Sequence, residues 1–195
     1  DIVQVATDSK KIYDLFSNEN VVMTSSSHLS GTDRVNEAVS KLNLSDEDVI
    51  INIQGDEPFI NPEDINNLFD LVSKKEIAMG TLYSDLKSLD ELEDSNKVKI
   101  LVNDGIASNF FRETSLVNNI FIHQGVYAFK YKTLKSFVSW QPSDNEKKYK
   151  LEQFRALDNG IKINAIKSVS KIHLGVDTED DLKKANEIAK DDSYK

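Results

Sequence analysis

The chain has 195 residues, 39% of them hydrophobic, and 33 Asp and Glu against 24 Lys and Arg give a formal net charge of −9. That length supports one sizeable core, so a single domain over residues 1–195 is expected, and the acidic balance argues against a nucleic-acid partner, because such binding rests on clustered Lys and Arg. Cysteine is absent, which excludes disulfides, thiolate catalysis and cysteine-based zinc sites, and no apolar run approaches the roughly 20 residues that span a bilayer, so a soluble protein without a membrane partner is expected.

The chain opens on Asp1-Ile2-Val3-Gln4-Val5-Ala6-Thr7-Asp8, already within a strand whose final Asp can cap the next helix. Ile12, Leu15 and Phe16 share one face of an amphipathic stretch, and Val21-Val22-Met23 reads as a short strand. A helix follows over 32–42, with Val35, Ala38, Val39 and Leu42 at helical spacing. Just before it, His28-Leu29-Ser30-Gly31-Thr32-Asp33-Arg34 sets hydroxyls and a glycine where free backbone N–H groups can serve a cap, a phosphate or the polar edge of a base.

Val49-Ile50-Ile51-Asn52-Ile53 has the β-branched character of a buried strand and stops on Gln54-Gly55-Asp56-Glu57-Pro58. A carboxylate is thereby delivered to a strand tip, where open α/β sheets bind ligands. Pro62 opens a helix carrying Ile65, Leu68, Phe69 and Val72. Strands are expected near 77–82, 97–102 and 120–129, and helices around 133–138, 145–157 and 178–189. Within the longest strand, His123 and Tyr127 leave one face about 14 Å apart if the strand is fully extended at roughly 3.4 Å per residue, with Gly125 leaving a gap between them. Trp140-Gln141-Pro142 precedes a helix whose Leu151, Phe154 and Leu157 face inward, with Glu152 and Gln153 beside that face. Ile172-His173-Leu174-Gly175-Val176-Asp177-Thr178 brings a second Asp out of an extended apolar segment, and Thr178 with Asp181 reads as a capping box. Strands alternating with helices indicate an α/β fold with a mainly parallel sheet. The isolated carboxylates Asp56 and Asp177 suit magnesium, which takes one or two carboxylates and completes its octahedron with water and substrate oxygens.

Taken in order, Ala6-Thr7-Asp8, Ser30-Gly31-Thr32-Asp33-Arg34, Gln54-Gly55-Asp56-Glu57-Pro58, His123-Gln124-Gly125-Val126-Tyr127, Trp140-Gln141-Pro142-Ser143, Leu151-Glu152-Gln153 and Gly175-Val176-Asp177-Thr178 resemble the 3-deoxy-manno-octulosonate cytidylyltransferase family over nearly the whole chain. Gly-Asp-x-Pro is shared across sugar nucleotidyltransferases, whereas Trp-Gln-Pro and Leu-Glu-Gln are more specific. The resemblance implies a Rossmann-like nucleotide-diphospho-sugar transferase fold and a cytoplasmic homodimer. It also implies the reaction of CTP with 3-deoxy-D-manno-octulosonate (KDO) to give CMP-KDO and pyrophosphate for lipopolysaccharide synthesis. Carried over residue by residue, it makes Asp56 and Asp177 the catalytic Mg2+ ligands and puts Ser30, Gly31, Thr32, Arg34 and Gln54 on the nucleotide. His123, Tyr127, Glu152 and Gln153 fall on the sugar hydroxyls and Arg112 on its carboxylate.

The chain departs from the family in three places. The family's opening strand and phosphate-wrapping loop have no counterpart in this sequence. Asp33 and Gln124 stand where the family usually has Glu and Leu or Ile. The span from Phe111-Arg112-Glu113 to Ile120 is shorter than the family's loop, which leaves an 8-amino KDO analogue or a nonulosonate as alternative sugars, while the missing phosphate loop leaves a degenerate nucleotide-binding or dimerisation module as an alternative from another class. The aromatic content of 120–129 and of the Trp140 turn leads to the expectation of a two-fold dimer built around them.

Overall fold

The computed structural model describes residues 2–28, 30–170 and 172–191. Asp1, which opens the expected first strand, and Leu29, inside the expected nucleotide motif, lie outside the described residues. In chain order the elements are β1 (Val5–Thr7), α1 (Lys10–Tyr13), β2 (Val21–Met23), α2 (Gly31–Val39), β3 (Val49–Asn52), α3 (Pro62–Val72), β4 (Met79–Ser84), β5 (Lys99–Asn103), β6 (Ile106–Phe111), β7 (Ile120–Lys130), α4 (Tyr131–Ser139), α5 (Asp144–Tyr149), α6 (Gln153–Asp158), β8 (Ile163–Lys167) and α7 (Glu179–Lys190).

Local chemistry sets many of these boundaries. Pro62 occupies the first turn of α3 while the Asn61 side chain accepts from the Glu63 N–H at 2.9 Å, so a residue with no N–H to lose and a side-chain acceptor open the helix together. Thr178 and Asp181 form the expected reciprocal cap at α7. Asp104 and Gly105, at φ 49° and 74°, make the tight turn between β5 and β6; positive φ at both central residues matches the twist of a two-residue hairpin.

The sheet corrects the expectation of mainly parallel pairing. β1 and β2 form a two-stranded parallel sheet, and six strands run in the order β3-β7-β4-β8-β6-β5. Among the described residues of the larger sheet only β4 and β8 are parallel, and the other pairings are antiparallel. β7 also pairs with β5, so β7, β4, β8, β6 and β5 close on one another. Apolar runs covered by helices on both faces look alike in either direction, which is why the sequence did not separate the two arrangements. One apolar cluster, containing Ile50, Phe110, Tyr127, Phe129, Leu134, Phe137 and Phe154, includes residues of α4 and α6. The other holds Leu68, Val72, Leu82, Val126 and Ala128 beneath α3.

Four local expectations also change. The helix expected over 145–157 is two helices, because Lys150 takes the left-handed conformation at φ 54° and ends α5. The Ile12, Leu15 and Phe16 side chains are exposed, and α1 stops at Tyr13. Residues 172–177 form no strand. Tyr127 and Phe129 are buried because their side chains pack into the apolar cluster with Phe110, Phe137 and Phe154, so these two rings do not offer the exposed aromatic surface expected of a dimer contact.

Candidate active site

The two predicted carboxylates come from segments that meet. The Val176 N–H donates to the Asp56 carbonyl at 2.8 Å, which lays the backbone before Asp177 against the turn that follows β3. Between them sits Glu57, quoted within the sequence motif but not singled out as a site residue. A Cβ built on Gly175 would lie 3.8 Å from Asp177 Oδ2 and 3.9 Å from Glu57 Oε1, and one on Gly125 would lie 3.7 Å from Gln54 Cγ and 4.0 Å from Glu57 Oε1. Burial first, then the charges of Asp56 and Asp177, push the Glu57 carboxyl up to about 7. The negative charges of Asp56 and Asp177 thus bear on Glu57, and that repulsion is relieved by a proton or a cation.

Gly31, at the start of α2, joins this group through Gln54. A Cβ there would come within 3.0 Å of Gln54 Oε1, so the missing side chain is what lets the amide lie against the start of α2. Ser30 caps that helix, its hydroxyl accepting from the Asp33 N–H at 3.2 Å and donating to Asp33 Oδ2 at 2.9 Å. Thr32 is buried and donates to Glu152 Oε1 at 2.9 Å. Arg34 reaches Thr24 Oγ1 at 2.6 Å and Asp8 at 3.2 Å, so it ties α2 to the ends of β1 and β2.

Across from Thr32, Glu152 and Gln153 open α6, and burial pushes the Glu152 carboxyl up against the opposing hydroxyls of Thr32 and Ser30. Among the described residues its buried Oε2 has no hydrogen-bond partner. Such an atom is costly to leave bare and is the natural acceptor or donor for a ligand hydroxyl. The Tyr127 hydroxyl donates to Gln153 Oε1 at 3.3 Å, and burial, then the Glu152 charge, keeps the phenol neutral. His123 is buried, and burial drops its imidazole to about 3. The Thr81 hydroxyl spends its one proton on the Val126 carbonyl at 2.8 Å, so the 2.9 Å contact with His123 is donated by Nε2. Nδ1 is left as an acceptor.

The expected gap between His123 and Tyr127 is not there: their ring centroids are 5.4 Å apart. The ladder slips between Thr81 and Leu82, opposite Gly125 and Val126, and this bulge draws the two rings together. It also turns Gly125 toward Gln54 and Glu57 instead of the rings. Arg112 stands apart on the exposed rim, donating to the Ser95 carbonyl at 3.3 Å and the Lys150 carbonyl at 3.2 Å. It lines a cleft of about 330 Å³ with Phe110, Tyr149 and Phe154. Gln124, the unusual residue of its motif, bonds Ser84 at 2.9 Å away from these groups.

Sequence reasoning passed over Glu57, Thr81 and Arg155. The last is buried and pairs with Glu146 at 2.6 Å and Asp33 at 3.4 Å; an Arg following Leu-Glu-Gln-Phe was the only signal, and it resembles any helix-surface Arg.

An α/β sheet with glycines, an amide and carboxylates converging at strand ends defines the nucleotidyltransferase class, and a family model described as cytidylyltransferase matches residues 1–163. The chain is similar to 3-deoxy-manno-octulosonate cytidylyltransferase of Francisella tularensis subsp. holarctica, at 35% identity over 96% of this chain and 82% of the relative. It is likewise similar to 3-deoxy-manno-octulosonate cytidylyltransferase 2 of Actinobacillus pleuropneumoniae serotype 5b, at 37% identity over 95% of this chain and 81% of the relative. A solved CMP:2-keto-3-deoxy-manno-octonic acid synthetase complexed with CTP superimposes with a TM-score of 0.87 at 29% identity, over 97% of this chain and 81% of that one. The 2-C-methyl-D-erythritol 4-phosphate cytidylyltransferase of Francisella tularensis, at 17% identity and TM-score 0.62 over 88% of this chain and 73% of that one, shares the fold. The chain belongs to the 3-deoxy-manno-octulosonate cytidylyltransferase family.

Proposed function

We propose that the protein couples CTP to KDO, releasing pyrophosphate and CMP-KDO. The observation that carries this reading is the convergence of Asp56, Glu57 and Asp177 with Gln54 and Gly31, in a chain 35% identical to named enzymes of that activity. The anomeric hydroxyl of KDO forms a bond to the α-phosphorus of CTP as the bond to the β-phosphate oxygen breaks. Positioning and charge neutralisation supply most of the rate in such transfers, so no protein nucleophile is required.

Among the described residues no three His, Cys, Asp or Glu side chains form a metal-ligand group. Magnesium asks for less, one or two carboxylates, and Asp56 and Asp177, set together by the Val176–Asp56 backbone bond, fit that demand. When bound it neutralises the phosphates and lowers the pKa of the attacking hydroxyl. Gln54, Ser30, Gly31 and Thr32 line the nucleotide side, with Arg34 holding α2 in place. Neutral His123 offers its Nδ1, and Tyr127, Gln153 and Glu152 Oε2 offer further partners, to sugar hydroxyls; a buried set of this kind rejects analogues lacking the group. Arg112, on the rim, is placed for a carboxylate only if its loop moves inward. The same reading makes the enzyme a cytoplasmic homodimer serving lipopolysaccharide synthesis, supported by the family resemblance.

Asp56→Asn is expected to abolish CTP- and KDO-dependent pyrophosphate release at saturating magnesium while shifting stability by no more than about 0.5 kcal/mol, because the residue is exposed at a loop. Full activity in that variant would sink the assignment.

A further inference from the structure

Asp64 lies in the first turn of α3 and is fully buried. Among the described residues no ion pair is made to it; donors from one short stretch serve it instead. Its Oδ2 accepts from the Ser168 hydroxyl at 2.6 Å and the Ser170 N–H at 3.3 Å, and its Oδ1 accepts from the Val169 N–H at 2.7 Å. These are the three residues that leave the end of β8, just after the Ser168 N–H makes its bond to the Tyr83 carbonyl. The Ser170 hydroxyl continues the lacing by donating to the Ile172 carbonyl at 2.9 Å. Farther along, Val176 is fastened to Asp56. The segment that delivers Asp177 is thus tied at both ends to the stretch that runs from Asp56 into α3.

A strandless segment takes its position from such anchors, and a sealed carboxylate survives only because its oxygens are bonded. Removing it releases three ties at once. We propose that Asp64 is a positioning residue for Asp177: by clasping residues 168–170 it sets where the following segment meets the Asp56 turn. The proposal rests on the metal-binding role given to Asp177 above, and its test separates the two.

Asp64→Ala and the near-isosteric Asp64→Asn are compared with Asp177→Asn in the full chain. In amide hydrogen exchange without ligands, Asp64→Ala is expected to speed exchange of Val169, Ser170 and also Val176 about 10-fold or more, with β4 and β7 unchanged. Asp64→Asn, which keeps one acceptor oxygen, falls between. Acceleration confined to Val169 and Ser170 overturns the proposal. In kinetics, the magnesium concentration for half-maximal pyrophosphate release is expected to rise roughly 10-fold in Asp64→Ala, with kcat at saturating magnesium within about 3-fold of the parent. A fallen kcat with an unchanged magnesium requirement also overturns it. If Asp177→Asn keeps full activity and the parent's magnesium response, the metal assignment has failed, and exchange at Val176 still decides the clasp. Should Asp64→Ala not fold, Asp64→Asn and Ser170→Ala carry the same exchange comparison.

Discussion

His123 illustrates how one side chain couples the site to stability. Burial holds its imidazole neutral down to about 3, whereas in the unfolded chain it takes a proton near 6.5. The unfolded state therefore binds the extra proton between those values, and the native state loses stability as pH falls from 6.5 toward 3, by up to about 1.4 kcal/mol per pH unit inside that window. His123→Gln has no such group, so its melting temperature should fall less than the parent's between pH 6.5 and 4. Parallel profiles for the two proteins would show that the imidazole is not held neutral. Gly31 acts at the same scale by omission, leaving room for the Gln54 side chain.

At the scale of elements, α3 rests on β4 through a glycine. A Cβ at Gly80 would meet Val72 Cγ2 at 2.9 Å and Leu68 Cδ1 at 3.1 Å, and both partners are packed in the core with no room to turn. Gly80→Ala is accordingly expected to cost about 1–3 kcal/mol, read as a lower midpoint in urea with an unchanged slope; an unchanged midpoint would mean that α3 is free to back away. This close approach was not legible in the sequence, where Gly80 stands in an ordinary apolar run. Other elements were legible because their chemistry is local: the Pro62 start of α3, the Thr178–Asp181 cap, and the delivery of Asp56 by the turn after β3. β6 was missed although Asp104-Gly105 is a strong hairpin signal, because the Ala107-Ser108-Asn109 stretch that follows lacks β-branched residues. β8 was missed for a similar reason, with Asn164 and Lys167 diluting a short strand. The bulge in β7 depends on pairing with β4, and no alternation within His123–Tyr127 announces it. The clasp of Asp64 on residues 168–170 joins positions more than 100 apart in the chain, so a first-turn Asp reads there as a helix-end charge and nothing more.

At the scale of the whole molecule, an acidic protein must hold an anionic nucleotide. The net charge of −9 and the crowding of Asp56, Glu57 and Asp177 both repel a bare triphosphate, so CTP and magnesium should bind as a cooperative pair. A ligand that binds only the folded state at a hundred times its dissociation constant adds about 2.7 kcal/mol. In a domain of this length that corresponds to a rise in Tm of roughly 5–10 °C. Thermal unfolding with CTP and magnesium together should show a rise of that order, while CTP with a chelator, or magnesium alone, should leave Tm within about 2 °C of the free protein. Asp177→Asn should remove most of the joint effect without lowering the baseline. If CTP in the chelator stabilises the protein as much as CTP with magnesium, the nucleotide is held by groups other than these carboxylates, and the division of the site into a metal-bridged phosphate side and a hydroxyl-reading sugar side fails at its first half.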